Sequence, residues 1–162
     1  MRLFKVEVEN LEVLHASGQI VKEPEIRLTT FTKDFSWGFY CTTNHKQAHK
    51  WAVQKSPVPT INYYQYNENH QLNILKFDEL NDEWLDFIAN CRKGHHHKYD
   101  IVEGPMADDQ LWNFVDDYLD GHLPKEAFKA ICQFQYPTPQ ISFHTVEALL
   151  QLTFIRSEQV HD

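Results

Sequence analysis

The sequence predicts an α+β domain with strands at both ends and helices in the middle. Three observations carry this expectation. Apolar and polar residues largely alternate through Leu3–His15, the period-2 pattern of a half-buried strand. The runs Ile61–Tyr66 and Leu72–Phe77 are rich in branched and aromatic residues and flank a polar turn, Asn67-Glu68-Asn69-His70. Between about Asp82 and Lys93 lies a complete set of helix start and stop signals.

The elements follow in chain order. Leu3–His15 supplies one or two strands through Leu3, Val6, Val8, Leu11, Val13 and Leu14. Residues Ile26–Tyr40 are mixed, and Ser36-Trp37-Gly38 reads as a turn into a short strand. Asn44 and Gln47 have the spacing of a capping box, so a helix should follow, with Ala48, Trp51 and Ala52 on one face. The turn SPVPT (56–60) precedes the two strands joined by Asn67–His70. Asn81 caps the next helix, Asp82 and Glu83 suit its positive end, Arg92 and Lys93 its negative end, and Gly94 stops it. Trp84, Leu85, Ile88 and Ala89 form its apolar stripe. Tyr99–Val102 is a strand ended by Gly104-Pro105. Asp108 caps a helix carrying Leu111, Trp112, Val115, Tyr118 and Leu119, closed by Gly121. Pro124 opens a further helix to about Cys132. Ile141–His144 is a strand, Val146–Leu150 a helical turn or two, and Leu152–Ile155 a last strand.

Size and composition bound the function. The chain has 162 residues, the size of one ordinary domain over 1–162. Its 42% hydrophobic and 14% aromatic content excludes disorder as the main description. No apolar run approaches the roughly 20 residues that cross a bilayer. The start MRLFKVEVENLEVLH alternates and contains acids, unlike a signal peptide. The net charge of −8 argues against a broad basic face for nucleic acid while leaving room for a local basic groove. Cys41, Cys91 and Cys132 are odd in number, form no CxxC and read as small buried hydrophobes of a reducing compartment, so a cytoplasmic, membrane-free protein is expected.

Several chemistries are weighed and set lower. His95-His96-His97 is read most simply as a polar loop, because three consecutive side chains converge poorly on one ion. His45 and His49 share a helix face, and Cys41 precedes them, yet HExxH is absent and a solvated face explains them better. Gly-rich phosphate loops and GxSxG are absent. Asp108-Asp109 and Asp116-Asp117 read as helix-end and solvated acids. No resident metal is expected.

Three segments stand apart: VLHAS (13–17), DFSWGFYCTT (34–43) and TPQISFHT (138–145). Each has a plain structural reading, with His15 a hydrogen-bonded core residue, Tyr40 a core aromatic and Gln140 a strand-end polar group. Their order and content resemble the His–Tyr–Glu ADP-ribosyltransferases, the superfamily of diphtheria toxin and the poly-ADP-ribose polymerases. More closely, the chain resembles a family of small bacterial proteins labelled a domain of unknown function. That family shares a His-Gly-Ser strand end, a DFG-x-GFY-x-T turn, a WLDF helix, a YDIV-x-GP-x-ADD segment and a QISFHT strand. Here these stand as LHAS, DFSWGFYCT, WLDFIANCR (84–92), YDIVEGPMADD (99–109) and QISFHT (140–145), over about residues 12–156.

The resemblance implies an ADP-ribosyltransferase-like split β-sheet core with flanking helices. It implies NAD+ as co-substrate and mono-ADP-ribosylation of a macromolecular target, protein or nucleic acid, by a toxin neutralised by a small protein antitoxin. By analogy Tyr40 stacks on nicotinamide, His15 bonds the adenosine ribose, the Ala16 backbone holds the carboxamide, and Ser17, Thr42 and Thr43 line the cleft. Gln140 falls at the third position of the triad. Arg92, Asp108 and Asp109 are expected on the acceptor side. Two residues depart from the pattern: Ala16 stands where Gly is usual, and Gln140 where a catalytic Glu is usual. A neutral amide hydrogen-bonds but carries no full charge. The alternatives are an inactive NAD+- or ADP-ribose-binding module and a metal-dependent hydrolase using His45, His49 and an acid.

Overall fold

A computed structural model of the chain describes residues 10–27, 34–107, 109–133 and 138–162. The expected strand positions Leu3, Val6 and Val8, and the expected cap Asp108, lie outside the described residues. The elements are β1 (Asn10–Ser17), β2 (Phe39–Cys41), α1 (His45–Ala52), β3 (Thr60–Asn67), β4 (Ile74–Lys76), α2 (Asp82–Arg92), β5 (Ile101–Pro105), α3 (Asp109–Leu119), α4 (Lys125–Cys132), β6 (Pro139–Phe143), α5 (Val146–Leu149) and β7 (Leu152–Gln159). The fold is α+β. No helix among the described residues is long and apolar enough to cross a membrane.

The strands form two sheets, β1-β3-β7 and β2-β6-β5-β4. The first is antiparallel; the second is antiparallel except for the parallel pair β4–β5. Among the described residues one backbone bridge joins them, where Leu14 N–H donates to the Thr42 carbonyl at 2.8 Å and Thr42 N–H to the Leu14 carbonyl at 2.9 Å.

Strand alternation sorts the side chains into three cores. Val13, Tyr64 and Tyr66 of the first sheet meet Phe39, Cys41, Ile141 and Phe143 of the second, and close the space between the sheets. The opposite face of the first sheet, with Leu14, Ala16, Ile61 and Tyr63, is covered by Ala48 and Ala52 of α1. The opposite face of the second sheet carries Tyr40 and Val102 under Trp84, Leu85, Ile88, Leu111, Val115 and Phe128 of α2, α3 and α4. The order of layers is thus helix, sheet, sheet, helices. A one-residue slip of β2 would exchange Tyr40 with Phe39 and Cys41 between two cores, which fixes its register.

Local signals act as their chemistry predicts. Asn44 Oδ1 accepts from Gln47 N–H at 3.0 Å, and Asn81 Oδ1 from Trp84 N–H at 2.9 Å. Each such cap stabilises its helix by about 1 kcal/mol. Gly94 (φ 92°) and Gly121 (φ 80°) take the left-handed conformation just past α2 and α3.

The strands expected on either side of Asn67–His70 are β3 and β4; they lie in different sheets, and the segment carries the chain between them. One expectation is corrected. Gly104-Pro105 does not end β5 but belongs to it, opposite Gln140 and Pro139 of β6. This longer pairing brings the start of β6 to the end of β5 near the rim of the sheet.

Candidate functional site

Beside the bridge between the sheets lies a cleft of about 510 Å³, within the size range of ligand sites. His15, Tyr40 and Gln140, far apart in the chain, all line it, together with Ala16 and Ser17. Thr42 and Thr43 are not among its lining residues. Thr42 is fully buried at the bridge, where its hydroxyl donates to the Pro139 carbonyl at 3.3 Å and accepts from Asn44 N–H at 3.1 Å. Thr43 is exposed.

The bridge places His15, next to Leu14 on β1, against β2. Its Nδ1 lies 2.7 Å from the Tyr40 carbonyl. A carbonyl only accepts, so Nδ1 carries a proton, and in a neutral ring Nε2 is then the acceptor nitrogen. The imidazole is stacked on Phe39, with centroids 3.8 Å apart and planes 21° apart. These two contacts fix its orientation without any ligand.

Tyr40 is 6% exposed and offers only a small part of its ring to the cleft. Its hydroxyl accepts from Phe35 N–H and donates to the Ser36 carbonyl. Burial drives its pKa well above the ordinary tyrosine value, so the phenol stays neutral. The side chain therefore does two things: it borders the cleft and ties down the preceding turn.

That turn presents Asp34, a residue the sequence analysis treated only as part of a motif. Asp34 is 5% exposed and lines the cleft. Its Oδ2 accepts from Ala107 N–H at 2.8 Å and from Gln140 Nε2 at 3.1 Å, across 106 residues of sequence. A carboxylate oxygen only accepts, so the amide branch facing it is the NH2 group and Oε1 is the amide's acceptor. The Ala107 segment is held in turn by Trp84 Nε1–H on the Pro105 carbonyl (2.9 Å) and Met106 N–H on the Thr138 carbonyl (3.0 Å).

Two histidines complete the clamp on the turn. His97 Nε2–H donates to the Phe35 carbonyl at 2.8 Å, and His144 Nδ1–H to the Trp37 carbonyl at 2.8 Å. Their rings meet edge to face at 4.3 Å. Ser142 Oγ lies 2.7 Å from His144 Nε2, which must accept, because Nδ1 holds the proton. Burial, and then the neighbouring His97, lower the His144 pKa to about 4, and burial lowers that of His97. His97 is thus a tertiary strut, and the expectation of a plain polar loop at 95–97 holds only for the exposed His95 and His96. Gly38 is required here, since a Cβ on it would sit 2.8 Å from two atoms of the His144 ring.

The remaining wall is cationic and aromatic. Lys50, Trp51 and Lys55 come from α1 and the segment after it, Arg92 from the end of α2, and Trp112 from α3. The Arg92 guanidinium lies 3.7 Å from the Trp112 ring centroid and 3.4 Å from Asp116 Oδ1. Arg92 was marked from its motif. Lys50 and Lys55 carried no sequence signal of their own. Among the described lining residues, Lys50, Lys55 and the Asp116-paired Arg92 stand against the carboxylate of Asp34, a local cationic wall in a protein of net charge −8.

Among the described residues, no three His, Cys, Asp or Glu side chains converge to hold a metal. His45 lies 3.1 Å from Glu158 instead. Burial raises the pKa of Cys91 to about 12 and of Cys132 to about 11, and that of buried Cys41 also rises, so none is an activated nucleophile. The structure gives no account of Asp108 or of the Asp109 side chain.

Residues 11–154 match the family described as Protein of unknown function (DUF3990), and the chain belongs to that family. No curated protein and no solved structure matches the chain.

Proposed function

We propose that the protein is an NAD+-dependent mono-ADP-ribosyltransferase that modifies a macromolecular target, within the diphtheria toxin and poly-ADP-ribose polymerase superfamily. The observation that carries this reading is the joint presence of His15, Tyr40 and Gln140 on one cleft. The two sheets joined by the Leu14–Thr42 bridge fit the split-sheet core that the resemblance implies. Lys50, Lys55 and Arg92 supply the positive field that the dinucleotide's pyrophosphate needs, and Trp51 supplies a flat surface for its adenine.

The reaction breaks the bond between nicotinamide and ribose C1′. The electron pair leaves on neutral nicotinamide, and positive charge spreads over the ribose. The acceptor's lone pair then bonds C1′, and its proton passes to solvent. In this reading, His15 Nε2 accepts from a ribose hydroxyl, the backbone at Ala16 holds the carboxamide, and the exposed part of Tyr40 packs on the ring that leaves. Holding these groups in place before reaction is the main contribution of the site. A cytoplasmic toxin restrained by a small antitoxin is the setting we propose for this activity.

The buried position of Tyr40 and the neutral amide of Gln140 favour a second reading, a module that binds NAD+ or ADP-ribose without turnover. The proposed hydrolase has no metal site among the described residues. Incubation of the protein with labelled NAD+ and a cell lysate separates the first two. Label on a macromolecule, lost in His15→Ala, supports the transferase; saturable NAD+ binding with no nicotinamide release supports the binding module.

A further inference from the structure

We propose that Asp34 is the positioning residue of this site, supplying through Gln140 the negative charge that the amide itself lacks. The inference rests on the transferase reading above.

The geometry is specific. Asp34 and Gln140 are 5% and 4% exposed, and both line the cleft. Their contact, Nε2 to Oδ2 at 3.1 Å, joins the turn before β2 to the start of β6. Burying a carboxylate is costly unless it is hydrogen-bonded, and Ala107 N–H and the Gln140 amide both donate to its Oδ2. The Ala107 segment, pinned by Trp84 and Thr138, keeps the carboxylate from turning away.

The chemical consequence follows from the amide. Its NH2 branch is committed to Asp34, so Oε1 is the atom that accepts a ribose hydroxyl. Donation from Nε2 to a carboxylate polarises the amide and makes Oε1 a stronger acceptor. The carboxylate itself is 5% exposed and so little screened by water, and the fixed charge behind the amide also favours the positive ribose that forms as nicotinamide leaves. The pair does together what one glutamate at position 140 would do alone.

The test uses NAD+ turnover, NAD+ affinity by calorimetry, and thermal melting on the full chain. Asp34→Asn should lower kcat by about 100-fold while the NAD+ Kd changes less than about threefold, because the charge acts on the transition state. The paired variant Asp34→Asn, Gln140→Glu moves the charge to position 140 and reverses the hydrogen bond between the two side chains, with the bond from Ala107 N–H given up because an amide NH2 cannot accept it. It should recover to within about tenfold of the native rate. A native rate in Asp34→Asn overturns the proposal. So does a loss confined to Kd or to melting, which marks a structural role. If Asp34→Asn does not fold, the paired variant decides alone: an NAD+-binding protein that stays inactive refutes the charge. Failure of the native chain to bind or cleave NAD+ defeats the transferase reading itself and is seen before any variant is made.

Discussion

Single residues in the turn before β2 work against their own preferences. Ser36 has φ 78°, is buried, and stands where the related pattern has glycine. A side chain in that conformation costs about 1 kcal/mol. Ser36→Gly should therefore raise stability by about that amount, measured by denaturant unfolding. Tyr40 offsets the strain by bonding both Phe35 and Ser36. Tyr40→Phe keeps the ring but strands a buried N–H and a carbonyl, so unfolding should become easier by about 1–3 kcal/mol. The ring's role in the cleft should survive that change, and NAD+ affinity should stay close to native. His15 and Gln140 were legible from their segments. Asp34 was not, because an aspartate before a turn is explained by the turn, and its partner lies 106 residues away.

At the level of elements, the clamp on the 34–38 turn is sensitive to acid. His144 is held neutral, with its pKa lowered to about 4, and His97 is shifted the same way. Below the free value of 6.5 the unfolded chain binds more protons than the folded one. Stability is therefore full above pH 6.5 and falls as the pH drops toward 4, by about 3 kcal/mol for His144 alone. Melting temperature against pH measures this. His144→Asn, which retains a donor for the Trp37 carbonyl, should flatten the acid limb. The helices α1 and α2 were legible because caps and stops are local chemistry: Asn44, Asn81 and Gly94 act within one turn. The crossing at Asn67–His70 was not, because a strand's pattern shows which face it buries and not which strand it joins.

For the whole molecule, the two sheets touching at Leu14 and Thr42 open the cleft, and α1 and α2 bring its cations. The basic wall escaped the sequence because exposed lysines on and just after an amphipathic helix read the same whether or not a second sheet lies opposite. Lys50→Ala and Lys55→Ala should each weaken NAD+ binding about fivefold at low salt, the equivalent of roughly 1 kcal/mol, and by less at high salt. The central claim is that this cleft receives NAD+. Calorimetric titration of the native chain with NAD+, beside His15→Ala, tests it most directly. We predict saturable one-to-one binding that weakens at least about tenfold in the variant, the loss of a buried hydrogen bond. A folded native chain that gives no saturable heat, or a variant that binds equally well, would contradict the account.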